Sequence, residues 1–231
     1  MSVKQQYERI QANIHEACST ANRNSDQVNV IAVTKYVSEA TTRLALESGV
    51  EHIGENRAET GLEKKKAIGD AGTWHFIGSL QSRKVKQVIH EFDYFHSLDR
   101  LSLAREFQKQ SQDTQKVKCF VQVNVSGEES KSGLQPEEVL PFIERLEAYP
   151  AIEVVGLMTM APFTEDPEQT RPVFRGLREL RDAIAELHLP YAPCTELSMG
   201  MSNDYIVAVE EGATFIRIGT ALVGNETTSS S

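Results

Sequence analysis

Cysteine is scarce in this sequence. Cys18, Cys119 and Cys194 lie far apart and form neither a CxxC pair nor a zinc-type spacing. A disulfide framework is not expected, no metal site is expected, and reduced thiols suit a cytoplasmic setting. Positive charge is in deficit as well: 24 Lys and Arg stand against 33 Asp and Glu, for a net charge of −9. That excludes a broad basic surface for nucleic acid, while leaving room for a local site that takes a small anion. No apolar run approaches the roughly 18 residues of a membrane span. The charged opening "MSVKQQYERIQANIHEAC" lacks the apolar core of a signal peptide. HExxH, the GxSxG elbow and the Walker loop are all missing, so the chemistries they carry find no support.

What is present is a rhythm. The 231 residues are 40% hydrophobic and 25% charged, as in an ordinary globular chain. An opening helix is expected over residues 3–21, with Val3, Tyr7, Ile10, Ile14 and Ala17 forming one apolar stripe. Short apolar runs then alternate with amphipathic segments. Strands are expected at 28–35, 52–55, 74–78, 94–98, 118–125, 153–160, 195–199 and 214–219. Helices are expected at 38–48, 57–67, 80–90, 99–111, 136–147, 167–187 and 203–211, with Ser38, Asp99 and Ser202 as caps. Alternating βα units predict a parallel sheet, and eight of them predict a single closed (β/α)8 TIM barrel over residues 1–225 with an extra N-terminal helix. An open doubly wound sheet is the alternative. The polar end, residues 226–231, reads as a disordered tail, and "APFTEDPEQ" as a mobile loop.

In such barrels reactive groups project from the C-terminal strand ends. Those ends hold Lys35, Asn56, His75, Asn124, Met158, Met160, Ser198 and Arg217-Ile218-Gly219-Thr220. Lys35 is either a structural ion-pair partner or a Schiff-base lysine. The second role needs a neutral amine, which desolvation in a barrel mouth favours. Gly219 and Thr220 form a simple turn or an anion cradle at the start of a short helix, with Ser198, Gly200 and Ser202 converging on the same corner. Arg217, inside an apolar strand, either pairs with a carboxylate such as Glu196 or donates to a ligand. Asn56 either bonds a ligand or caps a helix. His75 is expected as a packed, satisfied histidine, and "GLMTM" as core.

Taken together, "AVTKYV", "HIGENRAE", "WHFIGSLQSRK", "VNVSGEESKSGL", "GLMTM", "LSMGMSNDY" and "IRIGTALVG" resemble the pyridoxal phosphate homeostasis proteins, in order and over nearly the whole chain. Arg83 departs from the family, which usually has asparagine there. The resemblance implies a fold-type-III barrel like the N-terminal domain of alanine racemase, carrying pyridoxal 5′-phosphate (PLP). Lys35 matches the lysine that joins the PLP aldehyde, and Arg217 the arginine facing the pyridine nitrogen. Ser198, Gly219 and Thr220 match the phosphate cradle, with Ser202 close by, and Asn56 matches an asparagine near the ring.

An arginine can only donate to the ring nitrogen, so it weakens PLP as an electron sink. The expectation is therefore a monomeric, non-enzymatic PLP carrier that serves vitamin B6 balance and exchanges with PLP-dependent apoenzymes. Little chain remains after the eighth strand for a closing domain. Tyr36, next to Lys35 on a strand, is expected to face the other way unless the chain turns there, which makes it a poor candidate for an opposing base. The rivals are an amino-acid racemase and a Schiff-base aldolase acting through Lys35 on a phosphorylated sugar.

Overall fold

The computed structural model describes residues 1–111, 116–128 and 131–226. Helix α1 (Val3–Thr20) begins at a capping box in which Ser2 and Gln5 each bond the other's backbone N–H. Its stripe of Ile10, Ile14, Ala17 and Cys18 is buried. Then follow β1 (Asn29–Val33), α2 (Glu39–Glu47), β2 (His52–Glu55), α3 (Ala58–Ile68), β3 (Thr73–Phe76), α4 (Val85–Val88), β4 (Tyr94–Leu98) and α5 (Leu101–Gln110). The second half runs β5 (Val117–Gln122), α6 (Pro136–Arg145), β6 (Ile152–Met158), α7 (Arg171–Ala185), β7 (Glu196–Met201), α8 (Tyr205–Glu210), β8 (Phe215–Ile218) and α9 (Thr220–Val223).

All neighbouring strands are parallel and follow chain order, and β8 returns to pair with β1 through Val30–Ile216 and Ile31–Arg217. The barrel is therefore closed, and the doubly wound alternative falls. Strand alternation sorts side chains into two layers. Outward residues such as Val30, Ala32, Ile53, Trp74, Phe95 and Ile216 pack under the helices as one large apolar cluster. Inward residues Ile31, Phe120, Val155, Met158 and Phe215 form a separate small cluster inside the barrel. Burying each such aliphatic or aromatic side chain contributes about 1.5–3 kcal/mol.

Several local expectations need correction. The helix expected over 80–90 is shorter: a 3-10 turn at Ser82–Lys84 leads into α4. Before it the chain stays extended, because Leu80 is buried and its carbonyl accepts from Arg100 Nη2 at 2.5 Å. Ser38 caps α2 as expected, accepting from Thr41 N. Asp99 and Ser202 do not cap. The Asp99 carboxylate is taken by Arg100, which stays extended before α5, and the residue preceding α8 is Asp204, whose Oδ1 accepts from Met201 N. Within residues 161–169 the Thr164 carbonyl accepts from Asn203 Nδ2 at 3.0 Å, which leaves the expectation of a mobile loop as it stood. Glu226, the first residue of the expected tail, is hydrogen-bonded to the barrel (below), while residues 227–231 lie outside the described residues. The three cysteines are buried and unpaired.

Candidate functional site

Strand β1 ends earlier than its apolar run suggests. The chain turns at Thr34, whose carbonyl accepts from Val37 N at 3.1 Å and from Lys64 Nζ at 2.5 Å. Lys35 and Tyr36 sit on this turn and are both exposed. Lys35 Nζ lies 4.8 Å from the centre of the Tyr36 ring. The turn decides the setting of both residues. Lys35 is exposed and is not driven into a desolvated interior by a strand, and for Tyr36 the exception holds: the chain turns, so strand alternation does not apply to it.

The turn is braced from both sides. Beneath it the fully buried Glu55 carboxylate accepts from Thr34 Oγ1 at 2.6 Å and from Lys64 Nζ at 2.7 Å, which leaves its Oε2 without a partner. Across it Glu226 N donates to Tyr36 O at 3.0 Å. The Glu226 carboxylate accepts from Ser38 N at 2.7 Å, Ser38 Oγ at 3.2 Å and Thr41 Oγ1 at 2.5 Å. Those bonds, Thr41's first, hold the carboxyl below its ordinary value. The sequence reading missed this brace because Glu226 looked like part of a polar tail.

A cavity of about 560 Å³ opens at the C-terminal ends of the strands. Its wall brings together Lys35, Tyr36, Asn56, Arg217, Gly219 and Thr220, with Ser202, Ser79 and Met158 nearby. Asn56 follows β2 and does not cap α3, whose preceding residue is Arg57. Gly78 makes this wall possible: a Cβ there would lie 2.3 Å from the Asn56 carbonyl oxygen. In α9 the Gly219 carbonyl accepts from both Leu222 N and Val223 N. The earlier N–H groups of that turn have no helical acceptor.

Arg217 is 5% exposed and closes the floor. Its Nη1 donates to Ser198 Oγ at 2.5 Å and its Nη2 to the Thr159 carbonyl at 2.9 Å. It does not pair with Glu196, and among the described residues it forms no ion pair; the Glu196 carboxylate accepts from Thr195 instead. Burial lowers its value to about 10, a shift that the charge of Asp204 opposes. Ser198 is fully buried and does not line the cavity wall, and its hydroxyl accepts from Arg217. Asn124 also serves structure, with Nδ2 donating to Glu128 O. Arg83 is exposed and bonds Gln81, away from the cavity. A fixed donor and a free amine thus share a cavity whose size suits a small ligand.

Residues 6–227 match the sequence profile of the family "Alanine racemase, N-terminal domain". The "Pyridoxal phosphate homeostasis protein" of Aquifex aeolicus is 41% identical over 226 residues, covering 97% of this chain and 98% of that protein. Among solved structures, an unknown protein from Bifidobacterium adolescentis superposes with a TM-score of 0.88 at 32% identity, covering 95% of this chain and 94% of the other. PipY of Synechococcus elongatus, with PLP bound, superposes with a TM-score of 0.79 at 32% identity, covering 92% of this chain and all of the other (100%).

Proposed function

Because this chain belongs to the pyridoxal phosphate homeostasis proteins, within the alanine racemase N-terminal domain family, we propose that its barrel mouth holds PLP and releases it reversibly. Lys35 is the covalent anchor. Arg217 faces the ring nitrogen, Asn56 lies beside the ring, and Gly219 and Thr220 hold the phosphate with Ser202 at hand. PLP supplies an aldehyde that an amine can capture and water can free, and a ring that can store negative charge.

The observation that carries this reading is Arg217, a buried guanidinium that forms no ion pair among the described residues, on the same cavity wall as the exposed amine of Lys35. Two of its N–H groups are engaged, and a guanidinium has five donors and no acceptor. It offers the ring nitrogen a hydrogen bond and no place to put a proton, so charge storage in the ring stays weak. That favours a carrier over a catalyst.

We read the chain as a cytoplasmic monomer that hands PLP to apoenzymes across its open rim. That rim carries the exposed Phe163, Met160, Tyr36 and Met201. No helix among the described residues is long and apolar enough to cross a membrane. The test is a visible absorbance band in PLP-loaded protein, followed by borohydride reduction and mass mapping. Label on the peptide containing Lys35 is expected; label elsewhere, or none, overturns the assignment and leaves the aldolase reading. Racemase chemistry has one observation in its favour, the Tyr36 ring 4.8 Å from Lys35 Nζ. A tyrosine adjoining the lysine is not the opposing base that racemisation needs. Exchange of amino-acid α-protons in deuterated water is expected to be negligible, and sustained exchange would make the chain an enzyme.

A further inference from the structure

The proposed function leaves three buried or half-buried histidines unused, and they stand in line inside the barrel. His52 Nδ1 lies 2.9 Å from His75 Nε2, and His75 Nδ1 lies 2.9 Å from His96 Nε2. His96 Nδ1 lies 2.9 Å from Ser198 Oγ, the oxygen that receives Arg217 Nη1. The line therefore crosses from β2 through β3 and β4 to β7 and β8. Its lower end, His52, borders a second cavity of about 200 Å³ with Tyr7, Gln11, His15 and Glu51. Aromatic rings wall it: Tyr94 stacks on His75 at 4.7 Å and Phe120 on His96 at 4.3 Å. The nitrogens point at one another and not at a common centre. Among the described residues no three His, Cys, Asp or Glu side chains gather as metal ligands would.

The hydrogens in this line can be assigned by elimination. Arg217 only donates, so Ser198 Oγ accepts from it. The buried hydroxyl hydrogen then needs an acceptor, and His96 Nδ1 is the partner in place. His96 must carry its hydrogen on Nε2 and donate to His75 Nδ1. His75 donates from Nε2 to His52 Nδ1, and His52 Nε2–H ends beside the lower cavity. Reversal would aim two donors at Oγ and strand the hydroxyl hydrogen. A cationic imidazole would reverse the line from that ring upward, with the same result. Burial also holds His75 and His96 well below the ordinary histidine value. The charges facing the line are Arg217 above, with the Asp204 carboxylate acting on it, Lys118 over the Tyr94 ring, and Glu51 and Asp93 near His52.

We propose that Ser198, His96, His75 and His52 form a neutral, one-directional hydrogen-bond line that positions Arg217 and adds to the stabilisation that the charge of Asp204 gives its buried guanidinium. Every acceptor lone pair faces Arg217 and every hydrogen points away, the orientation that favours a cation, and each bond polarises the next. The role of Arg217 toward a ring nitrogen rests on the PLP reading; the direction of the line does not. Nitrogen-15 spectra of histidine-labelled chain without PLP test the direction. Neutral Nε2–H tautomers are expected for His75 and His96 from about pH 6 to 8, where a free histidine titrates. An Nδ1–H tautomer or a cationic ring at His96 overturns the line, whatever the fate of the PLP reading. Ser198→Ala should turn His96 into a tautomer mixture and, in PLP-loaded protein, move the pH midpoint of the visible band. Ser198→Thr should restore both. A Ser198→Ala protein that keeps both the His96 tautomer and the midpoint removes the positioning role.

Discussion

Two cations share the barrel mouth and are held in opposite ways. Arg217 is buried, bonded by Ser198 and Thr159, and backed by a column of side chains. Lys35 is exposed on a turn, and the bracing acts on the backbone around it: Glu55 and Lys64 grip Thr34, while Glu226 grips Tyr36 and Ser38. The difference matches the demands of reversible capture. On the function proposed above, a donor to the ring must not move, whereas an amine that forms and breaks a bond needs free reach. Fixing the turn and freeing the side chain satisfies both demands.

Lys35→Ala gives the sharpest break in this comparison. The visible band of PLP-loaded protein should vanish, while urea unfolding should change by no more than about 0.5 kcal/mol, as for an exposed side chain. Arg217→Met should do the reverse. It leaves Ser198 and the Thr159 carbonyl short of a buried donor, and a stability loss of about 2–4 kcal/mol is expected in the same denaturation experiment. Equal losses for the two variants would erase the distinction between a fixed and a free cation. Thr220→Val should weaken PLP retention by roughly 1–3 kcal/mol, the value of a hydrogen bond to a charged group, measured by equilibrium dialysis. Unchanged retention would take Thr220 out of the phosphate corner.

The smallest effect belongs to the brace. The Glu226 carboxyl is held below its ordinary 4.5, chiefly by Thr41. A depressed carboxylate stabilises the fold above its unfolded value, and that contribution fades as pH falls through the folded one. Glu226→Gln should therefore lower the melting temperature slightly at pH 7 and lose its effect once the pH drops well below 4.5. A difference that persists in acid would mean the carboxylate charge is not what fastens the turn.

Much of this was legible in the sequence because the signals are local. The β-branched runs and 3–4 spaced stripes located all eight strands, and the capping preference of Ser38 was a matter of adjacent residues. Strand parity also placed Arg217 inward, and applied to His75 and His96 it would have found two members of the column. The failures share a cause. Where β1 stops depends on Lys64 and Glu55, which lie on other elements. The partners of the Ser198 hydroxyl, Arg217 and His96, likewise come from other strands of the barrel and are not legible in the local sequence.

The order of residues by itself determined the alternating strands and helices and the supply of Lys35, Asn56, Arg217, Gly219 and Thr220 at strand ends, since periodicity and turn chemistry act over a few residues. Closure of the barrel, the exposure of Lys35, the withdrawal of Ser198 from the wall and the alignment of three histidines were decided only in three dimensions. Hydrogen bonds need atoms within about 3 Å. For residues as distant as His96 and Ser198, only the stagger of a closed sheet brings them that near.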